Sequence, residues 1–350
     1  MENEIIVGSD SPVCNIQAFV EKSDRNYYFY LWINPETPES DLRSCWICNR
    51  VPAPADVKSA FEVEGEAPCM PAEFVDHDPN GIELDEESLS IQWLSEGDAA
   101  AVLSGDKIIA LIPCFSGFNG FPGYSVYAKG TGPFAWELKG ARERFDGEIK
   151  AAKEFWDFFD KEDFWGEVQD FHMNALERFF GNHEKYYAID GGEFPPKALV
   201  QGRKDGLIYG ITLGVSMFPM PKVEMYYHDD YRDYRRIELG FACSERHEPL
   251  VKYIYSTMSS LAKYPWENLT FFGHGHTVPF NNIKGMDYLL FLNARMLNGA
   301  EAPSYDEFLG EKVNLLWVKP ITADEQKFIA DNGIQEYLNG KDLTKVFVLE

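Results

Sequence analysis

Residues 1–140 read as strands separated by turns. Tyr27-Tyr28-Phe29-Tyr30-Leu31-Trp32-Ile33 is an aromatic, β-favouring run stopped by Asn34-Pro35. Lys107–Cys114 (KIIALIPC) has the continuous apolar character of a buried strand, and the glycines of SGFNGFPG after it mark a sharp turn. Between these runs, residues 52–90 are rich in proline and acidic side chains and follow neither period, which predicts a long surface excursion.

From Glu143 the spacing becomes helical. Phe145, Ile149, Ala152, Phe155, Trp156 and Phe159 lie on one stripe, loosened by Gly147. Phe164, Val168, Phe171, Ala175 and Phe179 lie on a second, ending near Gly181. Both aromatic stripes have the pattern of core packing. After the turn residues of AIDGGEFPPKAL, strand alternation returns: Ile211, Leu213, Val215 and Met217 in one run, Ile237, Leu239, Phe241 and Cys243 in another, each predicting one face toward a core. Val251, Ile254, Met258 and Leu261 then predict a helix over 248–261. Residues 312–319 predict a strand ended by Pro320, and Thr322 with Glu325 forms a capping box for a helix stopping at Gly333.

The fold class is α+β, with mixed or antiparallel sheets and flanking helices in two packed lobes. A length of 350 residues, against a prior of roughly 150 per domain, supports two. The expected division is an N-terminal α+β lobe, 1–180, carrying the acidic insertion and the aromatic helices, and a second domain, 181–350.

Composition narrows the function. No run approaches the ~20 apolar residues of a membrane span, and the start, MENEIIVGSD, is acidic where a signal peptide is basic, so a soluble cytoplasmic protein is expected. The net charge is -25. Residues 51–100 hold 13 acidic residues and one basic one, a balance of -12. That sign opposes binding to nucleic acid or to an anionic membrane surface, and suits either plain solvation or a basic partner.

Local motifs add little catalytic chemistry. Cys45-Trp46-Ile47-Cys48 has CxxC spacing, but Pro52 and Pro54 follow where a redox motif would continue as a helix. For zinc, Cys69 and His77 are the nearby further ligands; otherwise these are buried thiols in a strand. Gly214-Val215-Ser216-Met217-Phe218 lacks the second glycine of a nucleophile elbow. Gly130 to Ala135 matches GxGxxA, but the acidic position expected about 20 residues on falls inside a helix. His274 and His276 could meet one metal if they lay on a strand, where alternate residues point the same way. His228, Asp229, Asp230 and His247 are possible completing ligands. The alternative is a glycine-shaped turn with hydrogen-bonded imidazoles.

Five ordered blocks, YYAIDGGEFPPKAL, GLIYGITLGVSMFPMPKVEMYY, YRRIELGFA, YPWENLTFFGHGHTVPF and KVNLLWVKPITADEQKFIADNGIQEYL, together resemble the suppressor of fused domain in its bacterial form. The resemblance runs over 182–345. Upstream, CWICNRVP, the stretch from IQWLSEGDAAAVL to GPFAWEL and the aromatic helices resemble the N-terminal portion of longer bacterial members. It implies a mixed α/β fold and a protein-binding function with no cofactor and no catalytic motif. The animal member binds an extended peptide of zinc-finger transcription factors, a partner that does not carry over to bacteria. Bacterial members are associated with immunity to toxins. Within this family GHGHTVP reads as a turn into a core strand.

The leading expectation is therefore a protein-binding module that sequesters or neutralises a partner, an immunity-type inhibitor of a bacterial toxin. The alternative is a metal-dependent hydrolase using His274 and His276. The residues expected to face a basic partner are Glu62, Glu64, Glu66, Glu73, Asp76, Asp78, Glu83, Asp85, Glu86 and Glu87, with Lys58 the one lysine near them.

Overall fold

The aromatic run of 27–33 lies in the third strand of an antiparallel meander: β1 (Glu4–Asp10), β2 (Ile16–Lys22), β3 (Asn26–Ile33) and β4 (Asp41–Asn49). The computed structural model describes residues 3–60 and 67–350. Tyr27 pairs with Cys48 and Tyr28 with Trp46, so Ile47 is an extra residue that bulges the strand. After α1 (Val57–Ala60) and the acidic excursion comes a second sheet in sequential order. Its strands are β5 (Leu89–Trp93), β6 (Ala100–Ser104), β7 (Lys107–Ile112), β8 (Tyr124–Ser125) and β9 (Trp136–Glu137). The first aromatic stripe forms α2 (Arg142–Phe159), which packs Phe145 and Ile149 on Ala101, Leu103, Ile108 and Leu111. Trp156, on the predicted stripe, is only partly buried and donates its Nε1–H to the Trp93 carbonyl at 3.1 Å.

The chain divides into two units, Met1–Phe159 and Asp160–Glu350. The second aromatic stripe forms α3 (Phe164–Phe180), stopped by Gly181 at φ +80°. This helix, expected in the N-terminal lobe, packs against strands β11 (Ala198–Lys204) and β12 (Leu207–Leu213), which follow β10 (Lys185–Ala188), and so belongs to the second unit. The rest of that unit runs α4 (Glu224–Tyr227), β13 (Arg236–Ser244), α5 (Glu248–Leu261), α6 (Tyr264–Glu267), β14 (Thr277–Ile283), β15 (Met286–Asn293), β16 (Val313–Ile321), α7 (Ala323–Asn332), α8 (Ile334–Leu338) and β17 (Val348–Leu349). The sheet order is β10-β11-β12-β13-β16-β15-β14, with β17 beside β13. β13 runs parallel to β16 and β17, while the remaining pairs are antiparallel.

Several predicted elements appear with their predicted bounds. α5 buries Val251, Ile254, Met258 and Leu261, and α7 begins with the Thr322–Glu325 capping box and stops at Gly333. Three differ. The strand expected to reach Met217 ends at Leu213, because Gly214 takes φ +90° and turns the chain into a short 3-10 segment. Pro320 lies inside β16 and does not end it. There the strand pairs with β15 after its ladder with β13 has finished at Trp317, so the missing N–H breaks no bond to β13. β13 was expected to turn one face to solvent, yet Arg236 to Cys243 are all buried. It is a central strand covered on both faces, and its polar side is enclosed. Among the described residues no helix is long and apolar enough to cross a membrane.

Candidate functional site

Asparagines of the first sheet tie down the middle of the acidic excursion. Asn26 Nδ2 donates to the Ala67 carbonyl at 2.7 Å. Asn49 clamps Met70 twice, accepting from its N–H at 2.9 Å and donating to its carbonyl at 2.8 Å. His77 is the next pin. Its Nε2 accepts from the Asn49 N–H at 3.2 Å and its Nδ1–H donates to the Asp78 carbonyl at 2.7 Å, with the ring stacked on Trp46. Burial holds His77 below the ordinary imidazole pKa, so it is a neutral brace with both nitrogens occupied and no lone pair left for zinc.

Ten carboxylates were expected to form one surface. Glu62, Glu64 and Glu66 lie outside the described residues. Of the other seven, Glu83 and Glu86 have partners within the fold. Arg50 Nε lies 3.0 Å from each Glu83 oxygen, and Tyr27 Oη donates to Glu83 at 2.8 Å. Lys22 Nζ meets Glu86 at 2.5 Å. Hydrogen bonding to Arg50, and in turn to Lys22, holds these two carboxyls below their ordinary values. Glu73, Asp76, Asp78, Asp85 and Glu87 are exposed and form no ion pair among the described residues. The free acidic face is therefore smaller than its sequence count, and two of its members hold the loop.

Cys45 and Cys48 lie within β4, both 0% exposed. Burial pushes both thiols well above the ordinary range, which removes the thiolate that redox chemistry or zinc needs.

His274 and His276 sit in the turn before β14, not on a strand, so the alternation that would aim both at one metal does not apply. Gly275 at φ +87° makes the turn, and any Cβ there would meet Ile334 at 2.8 Å. His274 Nδ1 accepts from the Asn293 N–H at 3.1 Å, leaving a buried Nε2–H without an acceptor. Burial lowers the pKa of both rings. Among the described residues no group of three or more histidine, cysteine or carboxylate side chains could hold a metal.

One constellation went unnoticed in the sequence. His172 of α3, Ser216 of the turn after β12 and Glu238 of β13 meet with 0% exposure each. His172 Nε2 lies 2.8 Å from both Ser216 Oγ and Glu238 Oε1, while Nδ1–H donates to the Val168 carbonyl at 2.8 Å. Glu238 further accepts from Thr212 Oγ1 at 2.6 Å, Ser216 Oγ at 2.7 Å, and the Gly214 and Ser216 N–H groups at 3.0 Å. A serine hydrolase holds its carboxylate on Nδ1 and leaves Nε2 to the nucleophile. Here carboxylate and serine share Nε2, the serine proton goes to the carboxylate, and no substrate can reach a fully buried hydroxyl. The trio is a structural lock. Beside it Arg236 Nη1 donates to the Ser216 and Met217 carbonyls at 2.9 and 2.6 Å, and its Nε to Glu311 at 2.9 Å. Burial alone would raise the Glu311 carboxyl, but the Arg235 and Arg236 guanidiniums outweigh it and hold it low. The signal for this network was the polar alternation Arg236, Glu238 on β13, which reads as a wet face until the strand's central place is known.

Residues 189–348 match the family model for suppressor of fused protein. This stretch is a suppressor of fused-like domain. Solved structures similar to the chain include a suppressor of fused homologue from Neisseria gonorrhoeae, 15% identical, covering 49% of this chain and 86% of its own, with a TM-score of 0.32. A chain in the crystal structure of the Sufu–Fu complex is 11% identical, covering 48% and 80%, with a TM-score of 0.33. No curated protein matches. The suppressor of fused-like domain contains the His274–His276 turn, Ser216 and Glu238. The acidic excursion and His172 lie outside the matched span.

Proposed function

We propose that this protein is a binding module that sequesters or neutralises another protein, acting as an immunity-type inhibitor of a bacterial toxin. The suppressor of fused-like domain over 189–348 carries the reading, since that family is one of binding and regulation. The partner's charge is inferred from Glu73, Asp76, Asp78, Asp85 and Glu87, which leave an unneutralised acidic face in a chain of net charge -25. A toxin that acts on nucleic acid must itself be basic, so carboxylates suit its inhibitor. Apolar and aromatic anchors supply most of the affinity, as at protein interfaces generally, and the acidic face steers the encounter.

Co-expression with the basic proteins encoded beside its gene tests the reading. The expected result is a stable complex on size-exclusion chromatography and rescue of growth from the toxic neighbour. Neighbours that neither bind nor are neutralised would overturn it.

A further inference from the structure

Between α5 and the edge strand β10, the sheet of the second unit has a strip that none of that unit's described helices covers. Strand pairing sets Lys185 opposite Gln201 and Gln201 opposite Gly210, so all three share one face of the sheet, and Tyr187 with Leu199 shares it by alternation. α5 lies over that face. Gly210 is what lets it come close, because an added Cβ would stand 2.3 Å from the Tyr255 ring. The strip left over is a cleft of about 420 Å³, within the size range of small-molecule pockets. Its walls are apolar: Leu199, Ile208, Val251, and the rings of Tyr187 and Tyr255 with centroids 6.4 Å apart.

Gln201 is the group that points to a ligand. It is 4% exposed, its Oε1 lies 3.5 Å from the Tyr187 hydroxyl, and its Nε2 donates to no acceptor among the described residues. A primary amide that lines an apolar cleft and spends no donor on the fold offers those donors to whatever enters the cleft, so leucine would serve stability as well at this position. Lys185 and Lys252 also line the cleft, and neither ammonium enters an ion pair among the described residues. Lys252 Nζ lies 4.8 Å from the centroid of the Tyr253 ring. The remaining charged group there, Glu248, is bound by Arg203 at 2.7 Å.

We infer that this cleft is a binding site for a small organic acid. An aromatic or branched apolar body rests on Leu199, Ile208 and Val251, the carboxylate faces Lys185 and Lys252, and an oxygen of the ligand accepts from the Gln201 amide. In a chain otherwise dominated by negative charge, two unpaired ammonium groups beside an apolar cleft favour an anion over a neutral molecule of the same shape. The site goes beyond the protein-binding reading and does not depend on it.

Phenylacetate is the probe, with phenylethanol as its uncharged counterpart, and binding to the full chain is followed by saturation-transfer NMR and titration. Phenylacetate is expected to bind and phenylethanol to bind more weakly. Gln201→Leu should weaken phenylacetate about tenfold, the loss of one net hydrogen bond, with the melting temperature unchanged or raised. Lys252→Gln, at an exposed position that folding does not need, should weaken phenylacetate and leave phenylethanol unaffected. Absence of saturation transfer to phenylacetate, undiminished binding by either variant, or equal binding of the two probes would each overturn the assignment.

Discussion

His172 and Glu238 meet with neither side chain exposed, Nε2 to Oε1 at 2.8 Å, and the contact ties α3 to the centre of the sheet. Removing one partner takes from the other one of its hydrogen bonds in a dry interior, where water cannot replace it. Glu238→Leu and His172→Leu should therefore each lower the unfolding free energy by about 3–5 kcal/mol. The double variant removes both sides of the contact at once and should cost less than the sum. Urea denaturation of the three variants reads the coupling directly, and strictly additive losses would show that the pair is not a unit.

The acidic face should act on rates. Replacing Glu73, Asp76, Asp85 and Glu87 by their amides removes no partner within the described fold, so stability should change by no more than about 0.5 kcal/mol. Association with a basic partner should slow and lose much of its salt dependence, while dissociation stays nearly constant. Steering should vanish near ~1 M salt, where the Debye length is about 3 Å. Stopped-flow mixing measures both. Association indifferent to salt and to these substitutions would reduce the stretch to a solvated surface.

Glu83→Gln should behave differently, because Arg50 and Tyr27 already hold that carboxylate. The Glu83 carboxylate is solvated, with 61% of its side chain accessible against 18% for Arg50, so its loss should cost at most about 1 kcal/mol. Its effect should appear as earlier proteolysis of the excursion more than as slower association.

Acid should loosen the first unit through His77. Burial depresses its folded pKa below the ordinary 6.5, so the unfolded chain binds the proton first. The stability this contributes is whole above that ordinary value and declines as pH falls below it, until the folded ring also protonates. In the second unit the buried rings of His274 and His276 act in the same direction. Ring-proton NMR should place the His77 midpoint below 6.5, and His77→Gln should flatten the loss of stability between about pH 6.5 and 5. A midpoint above the ordinary value would contradict the bracing role.

The thiols should be silent until the chain unfolds. All six cysteines are buried and none is in a disulfide, and burial pushes Cys243 up to about 11. A chromogenic disulfide reagent should label none of them rapidly in the native protein and all of them in denaturant. Cys45→Ser with Cys48→Ser should retain partner binding at a packing cost of order 1 kcal/mol per site. Fast native labelling of Cys45 or Cys48 would reopen a chemical role for the CxxC spacing.

Legibility followed the range of the interactions. α5 and α7 were readable because an apolar period, a capping box and a terminal glycine all lie within a few residues of one another. The suppressor of fused-like domain was readable because its blocks keep their order along the chain. The state of each carboxylate was not, since Glu83 differs from Glu87 through Tyr27 on β3 and Arg50 just after β4, which the fold brings to it.

By itself, then, the sequence determined the α+β class, most of the elements and the excess of negative charge, because local propensity and composition need no knowledge of neighbours. The tertiary structure decided what those elements do. It placed β13 between β12 and β16, which turned an apparently wet row of Arg236 and Glu238 into a sealed network. It put His274 and His276 in a turn with one imidazole spent on a backbone N–H, and it assigned α3 to the second unit. Each of these outcomes rests on groups far apart in the chain, and which of them meet is set by strand order and burial, quantities that no local pattern contains.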